Sequence, residues 1–285
     1  MTAASAGVER TSFRGPHGPV EAVQVRPSSA GRAPAPAVLI LHEGLGLTVH
    51  TVELARRFAQ EGYLAFAPNL YSHDAVHRTF TEAEVARGVG LLRAPDRDEV
   101  VARLPADEQE RLKAVFAWFS DRDTSTYLPD ARAAAAHLAG RLDVRPGDIA
   151  AVGFSLGGGL VGQLAVAGVE LAAGAVFYGQ APPLDQVTSV RFPLQVHYAE
   201  EDPAITPKAR AVQETFRAAG RELISFVYPG TRHGFFNETR PAYHADAAQL
   251  SWRRTREFFA ERIGGGVAAQ PRPYAVAGEG VRAAG

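Results

Sequence analysis

A serine lies between two glycines in the segment 153–157, which reads GFSLG. The apolar run Ile149–Phe154 leads into it, and small and apolar residues at helical spacing follow. This order predicts a strand, a sharp turn and a helix, with Ser155 in strained backbone angles at the turn. Gly153 and Gly157 must then be small, because the strand and the helix approach each other closely there. A hydroxyl in this position is typical of a catalytic nucleophile.

The same stretch has a second interpretation, because residues 157–162 match the dinucleotide-binding pattern GxGxxG. These glycines lie inside the predicted helix, and they do not belong to the first strand–turn–helix unit of the chain, where that pattern binds a dinucleotide. A glycine-rich helix start without chemistry is a further alternative. We favour the nucleophile, since its partners can be found elsewhere in the chain.

An acid and a base follow two later apolar runs. Three acids occupy positions 200–202, directly after the run 193–199, and His233 follows the run 223–228. Serine needs a base to become nucleophilic, and the base needs an anion to orient it. Serine, acid and histidine in this order are typical of α/β-hydrolases. Among the three acids we favour Asp202, because a proline and a predicted helix start follow it.

Two other histidines compete with His233 for the role of base. His197 lies within a predicted strand, which favours a packing role, and His244 lies on the last predicted helix. His233 follows a strand within a Pro-Gly turn and precedes a Gly-Phe pair. It is therefore the preferred base.

The first buried strand, Ala37–Leu41, is followed by His42, Glu43 and Gly44. We expect the oxyanion of a reacting ester to be held by two backbone N–H groups, those of Leu156 and Gly44. Glu43 has two alternative roles, as a carboxylate near Ser155 or as a structural anchor of this loop. We favour a place near Ser155.

His73 and His77 have the spacing of a two-histidine zinc site. The segment follows a Pro-Asn turn, however, and no third ligand is evident. We therefore interpret it as a solvated loop and expect neither a metal nor a cofactor.

Composition narrows the class of protein. The chain has 285 residues, of which 46% are hydrophobic, a formal net charge of −1 and no cysteine. The charge gives no indication of nucleic acid or an anionic membrane as partner, and the absence of cysteine excludes disulfides and a thiolate nucleophile. We find no signal peptide and no apolar run long enough to span a membrane, so we expect a cytoplasmic protein.

Apolar runs alternate with helical patterns along most of the chain. The predicted strands are 8–14, 20–26, 37–42, 63–67, 149–154, 171–178, 193–199 and 223–228, and helices are predicted at 48–61, 129–142, 207–219 and 241–263 as well as after Ser155. Such alternation predicts an α/β fold, with a mostly parallel, doubly wound sheet covered by helices on both faces.

The domain organisation that we predict is a single domain over residues 1–263. Residues 69–126 are the least regular part, with weakly amphipathic stretches at 82–92 and 107–119. This insertion is either a partial cap over the site or a surface decoration. Residues 264–285 are rich in Gly, Ala and Pro, which predicts a disordered tail.

Several motifs together carry a family resemblance. They are LHEGLG at 41–46, GFSLGG at 153–158, FYG at 177–179, EDP at 201–203, YPGTRHGF at 228–235, Tyr243, Ala247-Ala248 and WRRTREFF at 252–259. With these motifs the chain resembles the dienelactone hydrolase family. The resemblance implies an α/β-hydrolase fold without a metal or cofactor, hydrolysis of a small ester or lactone through an acyl-enzyme, and a glutamate, here Glu43, close to the nucleophile.

The chain departs from the family pattern at two places. The best-known members have cysteine where this chain has Ser155, and some bind a substrate carboxylate with an arginine at the position of Asn237. Arg111 is similar in place to a second arginine of that clamp. These departures make dienelactone itself a poor candidate substrate. The remaining substrate contacts that we expect are Phe154, Tyr178 and Phe235.

The sequence thus predicts a serine hydrolase, monomeric or homodimeric, that acts on a small ester or lactone. One alternative is an acyltransferase or cyclase of a biosynthetic pathway, in which an alcohol replaces water. The other is a ligand-binding protein without catalysis on the same fold.

Overall fold

The computed structural model describes residues 7–28, 33–92, 94 and 96–264. Its eight strands are β1 (Val8–Gly15), β2 (Gly18–Val25), β3 (Ala35–Leu41), β4 (Leu64–Pro68), β5 (Val144–Phe154), β6 (Ala173–Phe177), β7 (Leu194–Ala199) and β8 (Leu223–Tyr228). They form one sheet in the order β1-β2-β4-β3-β5-β6-β7-β8. The strands β3 to β8 are parallel, and β1 and β2 join antiparallel at one edge. The predicted mostly parallel sheet of an α/β-hydrolase fold is confirmed.

Helices cover both faces of the sheet. They are α1 (Val49–Gln60), α2 (Glu82–Leu91), α3 (Arg97–Ala102), α4 (Ala106–Asp121), α5 (Tyr127–Ala139), α6 (Leu156–Val166), α7 (Ala209–Ala218) and α8 (Ala245–Ile263). Along β3, Val38 and Ile40 pack in a cluster with side chains of α1 and α8. Leu39 and Leu41 pack in another cluster with α5, α6 and α7. A strand between two such layers must be apolar at every position, which explains the continuous run in the sequence.

The insertion between β4 and α5 contains α2, α3 and α4. A capping box at Thr81 and Glu84 begins α2, which is the expected solution for an exposed helix start. Helices α2 and α4 cross closely at Gly88, where an added Cβ would lie 2.4 Å from the Cγ1 atom of Val115. The two weakly amphipathic stretches of the sequence correspond to α2 and α4.

Helix ends differ from the predictions at several places, and α5, for example, runs over Tyr127–Ala139 rather than over 129–142. A 3-10 turn over Thr206–Lys208 precedes α7, and α8 begins at Ala245 rather than at Pro241. The later start of α8 has a local cause, because the His244 side chain caps the helix by accepting the Ala247 N–H. The predicted disordered tail lies outside the described residues, except for Gly264. Within the described part of the chain, no helix combines the length and hydropathy that a membrane span requires.

Candidate active site

Ser155 sits in a strained turn between β5 and α6. Its φ and ψ angles are 51° and −109°, a conformation that L residues rarely adopt. A Cβ atom on Gly153 would lie 2.1 Å from the Gly157 carbonyl oxygen, and one on Gly157 would lie 2.1 Å from the Leu41 carbonyl oxygen. Both positions therefore require glycine. The backbone strain and the close approach predicted for this turn are confirmed.

A chain of hydrogen bonds connects three side chains. The Ser155 Oγ atom is 2.8 Å from the Nε2 atom of His233, and the Nδ1 atom of His233 is 2.6 Å from the Oδ2 atom of Asp202. Burial is the largest single influence on the Asp202 carboxyl and raises its pKa, but the hydrogen bond and charge of His233 and the backbone N–H groups of Ala204 and Ile205 together lower the pKa below its ordinary value. Asp202 accepts a hydrogen bond from the Nδ1–H group of His233, and in that tautomer the Nε2 atom is the acceptor that faces the serine hydroxyl.

The loops after β7 and β8 deliver the acid and the histidine. Asp202 is buried and also accepts the Ala204 N–H at 3.1 Å. The neighbouring Glu201 is exposed, and Glu200 accepts the N–H of Gly230 at 2.8 Å. Of the three consecutive acids, Asp202 is the one bonded to His233.

The competing histidines have other environments. His197 is buried in β7, where its Nδ1 atom lies 2.7 Å from the Tyr228 hydroxyl and its ring stacks on Phe177 at 4.3 Å. Burial holds the pKa of His197 well below its usual range. His244 caps α8, as described above. The packing role expected for His197 is confirmed.

Two residues of the cavity lining have backbone amides without a bonded acceptor among the described residues. In the part of the chain that the structure describes, no acceptor is bonded to the N–H of Leu156 or to that of Gly44. Both residues line the same cavity as Ser155 and His233. The Leu156 amide also begins α6, where the helix dipole favours negative charge. Backbone N–H groups that are free to donate into such a cavity can stabilise an oxyanion.

Glu43 lines the same cavity as Ser155 and is held by neighbouring donors. Its Oε1 atom accepts the Tyr178 hydroxyl at 2.7 Å, and its Oε2 atom accepts the Asn237 side-chain amide at 3.0 Å. The guanidinium of Arg240 is 3.9 Å from the same Oε2 atom. Burial, together with the Glu43 charge, raises the pKa of Tyr178 well above its usual range, so its hydroxyl stays a donor. Glu43 thus shares the site with Ser155 while its oxygens are bonded to other groups.

A cavity of about 470 Å³ opens above these side chains. Its walls come from the loops at the carboxyl ends of the strands and from the insertion, as expected for this kind of sheet. The insertion contributes Val89, Gly90, Leu92, Phe119 and Arg122. Nothing in the sequence pattern singled out Arg122 or Arg240, which are the arginines among the described residues of the lining, because each lies in an irregular segment.

The structure does not bring every expected substrate contact to the cavity. Among the expected residues, Tyr178 lines it. Arg111 does not, because its guanidinium is bonded to both Glu84 oxygens, at 2.6 and 2.9 Å, and to the Thr79 carbonyl. The substrate contact expected from Arg111 is therefore wrong, and this arginine instead connects α4 to the start of α2.

Three further expected contacts are buried away from the cavity lining. Phe154 points to the face covered by α1 and α8, where it stacks on Phe177 at 4.7 Å. Phe235 is fully buried and packs edge-on against Tyr178 at 5.4 Å. Asn237 is buried and bonded to Glu43. None of these three residues lines the cavity, so the structure does not support the direct substrate contacts expected of them. They pack against or bond to other residues of the site.

The two-histidine motif is divided between two neighbourhoods. The Nε2 atom of His73 is 3.3 Å from the buried Asp130 carboxylate, whereas the His77 ring packs on Tyr71 and Trp118. Across the described ranges, no group of three or more acids and histidines is arranged to hold a metal ion.

Fold and site together define an α/β-hydrolase fold with a Ser-His-Asp arrangement at the carboxyl ends of its strands. The sequence profile of the dienelactone hydrolase family matches residues 20–263. A relative from Saccharolobus solfataricus P2, whose assigned name is carboxymethylenebutenolidase, is 30% identical over 233 residues, which are 79% of this chain and 89% of the relative. A relative with the same name from Escherichia coli K12 is 26% identical over 249 residues, 84% of this chain and 81% of the relative.

The chain therefore belongs to the dienelactone hydrolase family, which is a family of hydrolases. Solved structures agree with the fold. One, described as a dienelactone hydrolase from Klebsiella pneumoniae subsp. pneumoniae MGH 78578, has a TM-score of 0.70 at 24% identity and covers 90% of this chain and 100% of its own. A dienelactone hydrolase-like promiscuous phosphotriesterase, P91, from metagenomic libraries has a TM-score of 0.68 at 21% identity and covers 92% of this chain and 100% of its own.

Proposed function

We propose that this protein is a serine hydrolase that cleaves a small ester or lactone through an acyl-enzyme intermediate. The observation that carries the proposal is the unbroken hydrogen-bond chain from Ser155 through His233 to Asp202, which opens into the cavity. Membership of a hydrolase family adds to it. A neutral histidine bonded to a serine hydroxyl on one side and to a buried carboxylate on the other is arranged for nucleophilic catalysis.

In the proposed reaction the Ser155 oxygen attacks the ester carbonyl while its proton passes to the Nε2 atom of His233. The Leu156 and Gly44 amides hold the negative oxygen of the tetrahedral intermediate. His233 then gives its proton to the leaving alcohol, and the C–O bond to that alcohol breaks. A water molecule, deprotonated by the same histidine, releases the acid and restores the Ser155 hydroxyl. Asp202 stabilises the imidazolium in both steps.

We propose that the insertion 69–126 is a partial cap. The support is that five lining residues of the cavity, given above, come from α2 and the end of α4 and its following turn. The lining combines apolar groups such as Val89 and Phe119 with the guanidinium groups of Arg122 and Arg240, which fits an ester that has an apolar part and a polar or anionic part. A volume of about 470 Å³ suits a small molecule rather than a polymer.

The test is covalent labelling and turnover with two serine variants. Ser155→Ala should fold like the wild type, lose labelling by a fluorophosphonate and lose on the order of 10⁴-fold or more in kcat on short-chain esters. The exposed Ser189→Ala serves as the matched control and should change nothing. Turnover of Ser155→Ala within tenfold of the wild type would exclude Ser155 as the nucleophile. A wild type that is neither labelled nor active on a panel of esters and lactones would favour a ligand-binding protein.

A further inference from the structure

His42 lies between β3 and the Gly44 loop, and it is a buried histidine that the reaction above does not use. Its Nε2 atom is 3.0 Å from the backbone nitrogen of Leu70, and its Nδ1 atom is 2.6 Å from the Glu43 carbonyl oxygen. A backbone N–H can only donate, so Nε2 must be the unprotonated nitrogen. Nδ1 therefore carries the proton and donates it to the Glu43 oxygen. One neutral tautomer satisfies both bonds.

The protonated ring cannot satisfy them, because an Nε2–H would face the Leu70 N–H. Burial agrees with this geometry, since it lowers the pKa of His42 to about 4. At neutral pH the ring therefore connects the Glu43 carbonyl, to which Nδ1–H donates, with the Leu70 N–H, which Nε2 accepts. Its main chain is also held, because the His42 carbonyl accepts the Gly157 N–H of α6 at 3.1 Å.

The Glu43 carbonyl and the Gly44 N–H belong to one peptide group. That group is planar, and in its trans form the C=O and the N–H point in opposite directions. The Glu43 oxygen accepts two bonds, from the His42 ring and from the Gly46 N–H at 3.1 Å. Fixing the carbonyl from two sides fixes the plane, and with it the direction of the Gly44 N–H on the opposite edge.

We propose that His42 is a positioning residue, whose Nδ1–H sets the direction of the Gly44 amide and thereby assembles the oxyanion hole. This inference rests on the proposed function. His42 itself touches no substrate. It acts through the peptide group that it holds, and its main chain keeps that group in register with the start of α6, where the second oxyanion donor lies.

Two variants separate the two bonds of the ring. In His42→Asn, the side-chain nitrogen has the same number of bonds from Cβ as Nδ1, so the bond to Glu43 is kept and the bond from Leu70 is lost. In His42→Gln, the side-chain oxygen replaces the Nε2 acceptor, so the bond from Leu70 is kept and the bond to Glu43 is lost. Each variant loses one buried hydrogen bond, and a similar drop in Tm is expected for both.

The proposal predicts different kinetics for this matched pair. His42→Gln should lose on the order of 10²-fold in kcat, the usual cost of a lost oxyanion donor, with KM within about threefold of the wild type. His42→Asn should keep kcat within about fivefold of the wild type. The affinity of a trifluoromethyl ketone, whose adduct with serine carries an oxyanion, should fall in Gln by the same factor as kcat/KM. Equal losses in kcat for Asn and Gln, or a Gln variant as active as the wild type, would overturn the proposal.

A variant that fails to fold does not end the test. Nitrogen-15 NMR of histidine-labelled wild type at neutral pH should show the His42 proton on Nδ1, and a proton on Nε2 would overturn the proposal. Failure of the proposed function gives a different result, because then the wild type would not react with a fluorophosphonate at Ser155.

Discussion

The Glu43 carboxylate offers the sharpest test of what a buried charge does in the same cavity as Ser155, the proposed nucleophile. Its two oxygens accept the Tyr178 hydroxyl and the Asn237 amide, and Asn237 cannot turn around, because its own oxygen accepts the Thr239 N–H and hydroxyl at 2.9 and 2.7 Å. In Glu43→Gln, the new amide oxygen can accept from Asn237 while the new NH₂ group donates to the Tyr178 oxygen. The contacts of residue 43 with Asn237 and Tyr178 are therefore both kept, although the Tyr178 hydroxyl proton must then point away from residue 43.

The magnitudes follow from these contacts. Glu43→Gln exchanges two charge-assisted bonds for neutral ones and relieves a buried charge, so a net loss of about 1–2 kcal/mol in the free energy of unfolding is expected. Glu43→Ala leaves the buried Asn237 amide and Tyr178 hydroxyl without an acceptor, at about 1–3 kcal/mol for each group. Arg240 also loses its nearby anion. The loop that carries Gly44 is then less well fixed in Glu43→Ala than in Glu43→Gln.

The two Glu43 variants should therefore differ in how much kcat/KM they lose. Glu43→Gln should lose no more than about tenfold in kcat/KM, which corresponds to about 1.4 kcal/mol. Glu43→Ala should lose about 100-fold or more, since the positions of Tyr178 and the oxyanion loop relax. The assay is kcat/KM on one chromogenic ester, with Tm from circular dichroism as the folding control. A Gln variant as inactive as Ser155→Ala would refute the reasoning, because the charge itself would then be catalytic.

Two further predictions concern the frame of the site. Gly157→Ala should abolish ester turnover and lower Tm strongly, because the added Cβ would lie 2.1 Å from the Leu41 carbonyl oxygen. The control is Gly159→Ala in the same helix. Its added Cβ would have its nearest contact at 3.8 Å, so this variant should keep the wild-type Tm. Arg111→Met should leave kcat/KM unchanged but lower Tm at pH 7. The hydrogen bond from Arg111 lowers the pKa of Glu84 to about 2, so its stabilisation is complete above the ordinary value of 4.5 and disappears as the pH falls toward 2. A Tm difference that persists at pH 2 would contradict this ion pair as the cause.

The positions of the strands could be predicted from the sequence, because a strand that is buried on both faces consists of a continuous run of apolar residues. The run Ala35–Leu41 is buried at every residue, so none of its positions can hold a polar side chain without a buried partner. The same reasoning places polar side chains at the ends of the runs, since a residue just past a buried strand is the first that can reach solvent or ligand. For this reason the sequence alone could predict that Ser155, Asp202 and His233 meet at one edge of the sheet, where the structure places them in one chain of hydrogen bonds.

Contacts that depend on side-chain direction could not be predicted in this way. Phe154 is next to Ser155 in sequence, yet the alternation of β5 turns it to the opposite face of the sheet. The family resemblance predicts a substrate contact for Arg111, but Glu84 at the start of α2 offers this side chain a bidentate partner. Arg240 reaches the cavity from the irregular segment before α8, where no periodicity reports which way a side chain points.

The Tyr178 ring connects Glu43 with His233, the base of the proposed mechanism, and this contact bears on how an anion can be retained in the proposed site. The Tyr178 hydroxyl donates to Glu43, and the Tyr178 ring packs against the His233 imidazole with 5.1 Å between centroids. Because both Glu43 oxygens already accept hydrogen bonds and a guanidinium lies nearby, much of the negative charge is compensated before any substrate binds. The backbone of Tyr178 adopts a φ of 38°, a strained value that surrounding contacts must maintain. Because the Glu43 carboxylate holds Tyr178, it also influences the position of the His233 ring. The hydrogen-bond donors around Glu43 determine how strongly its charge acts on the proposed reaction.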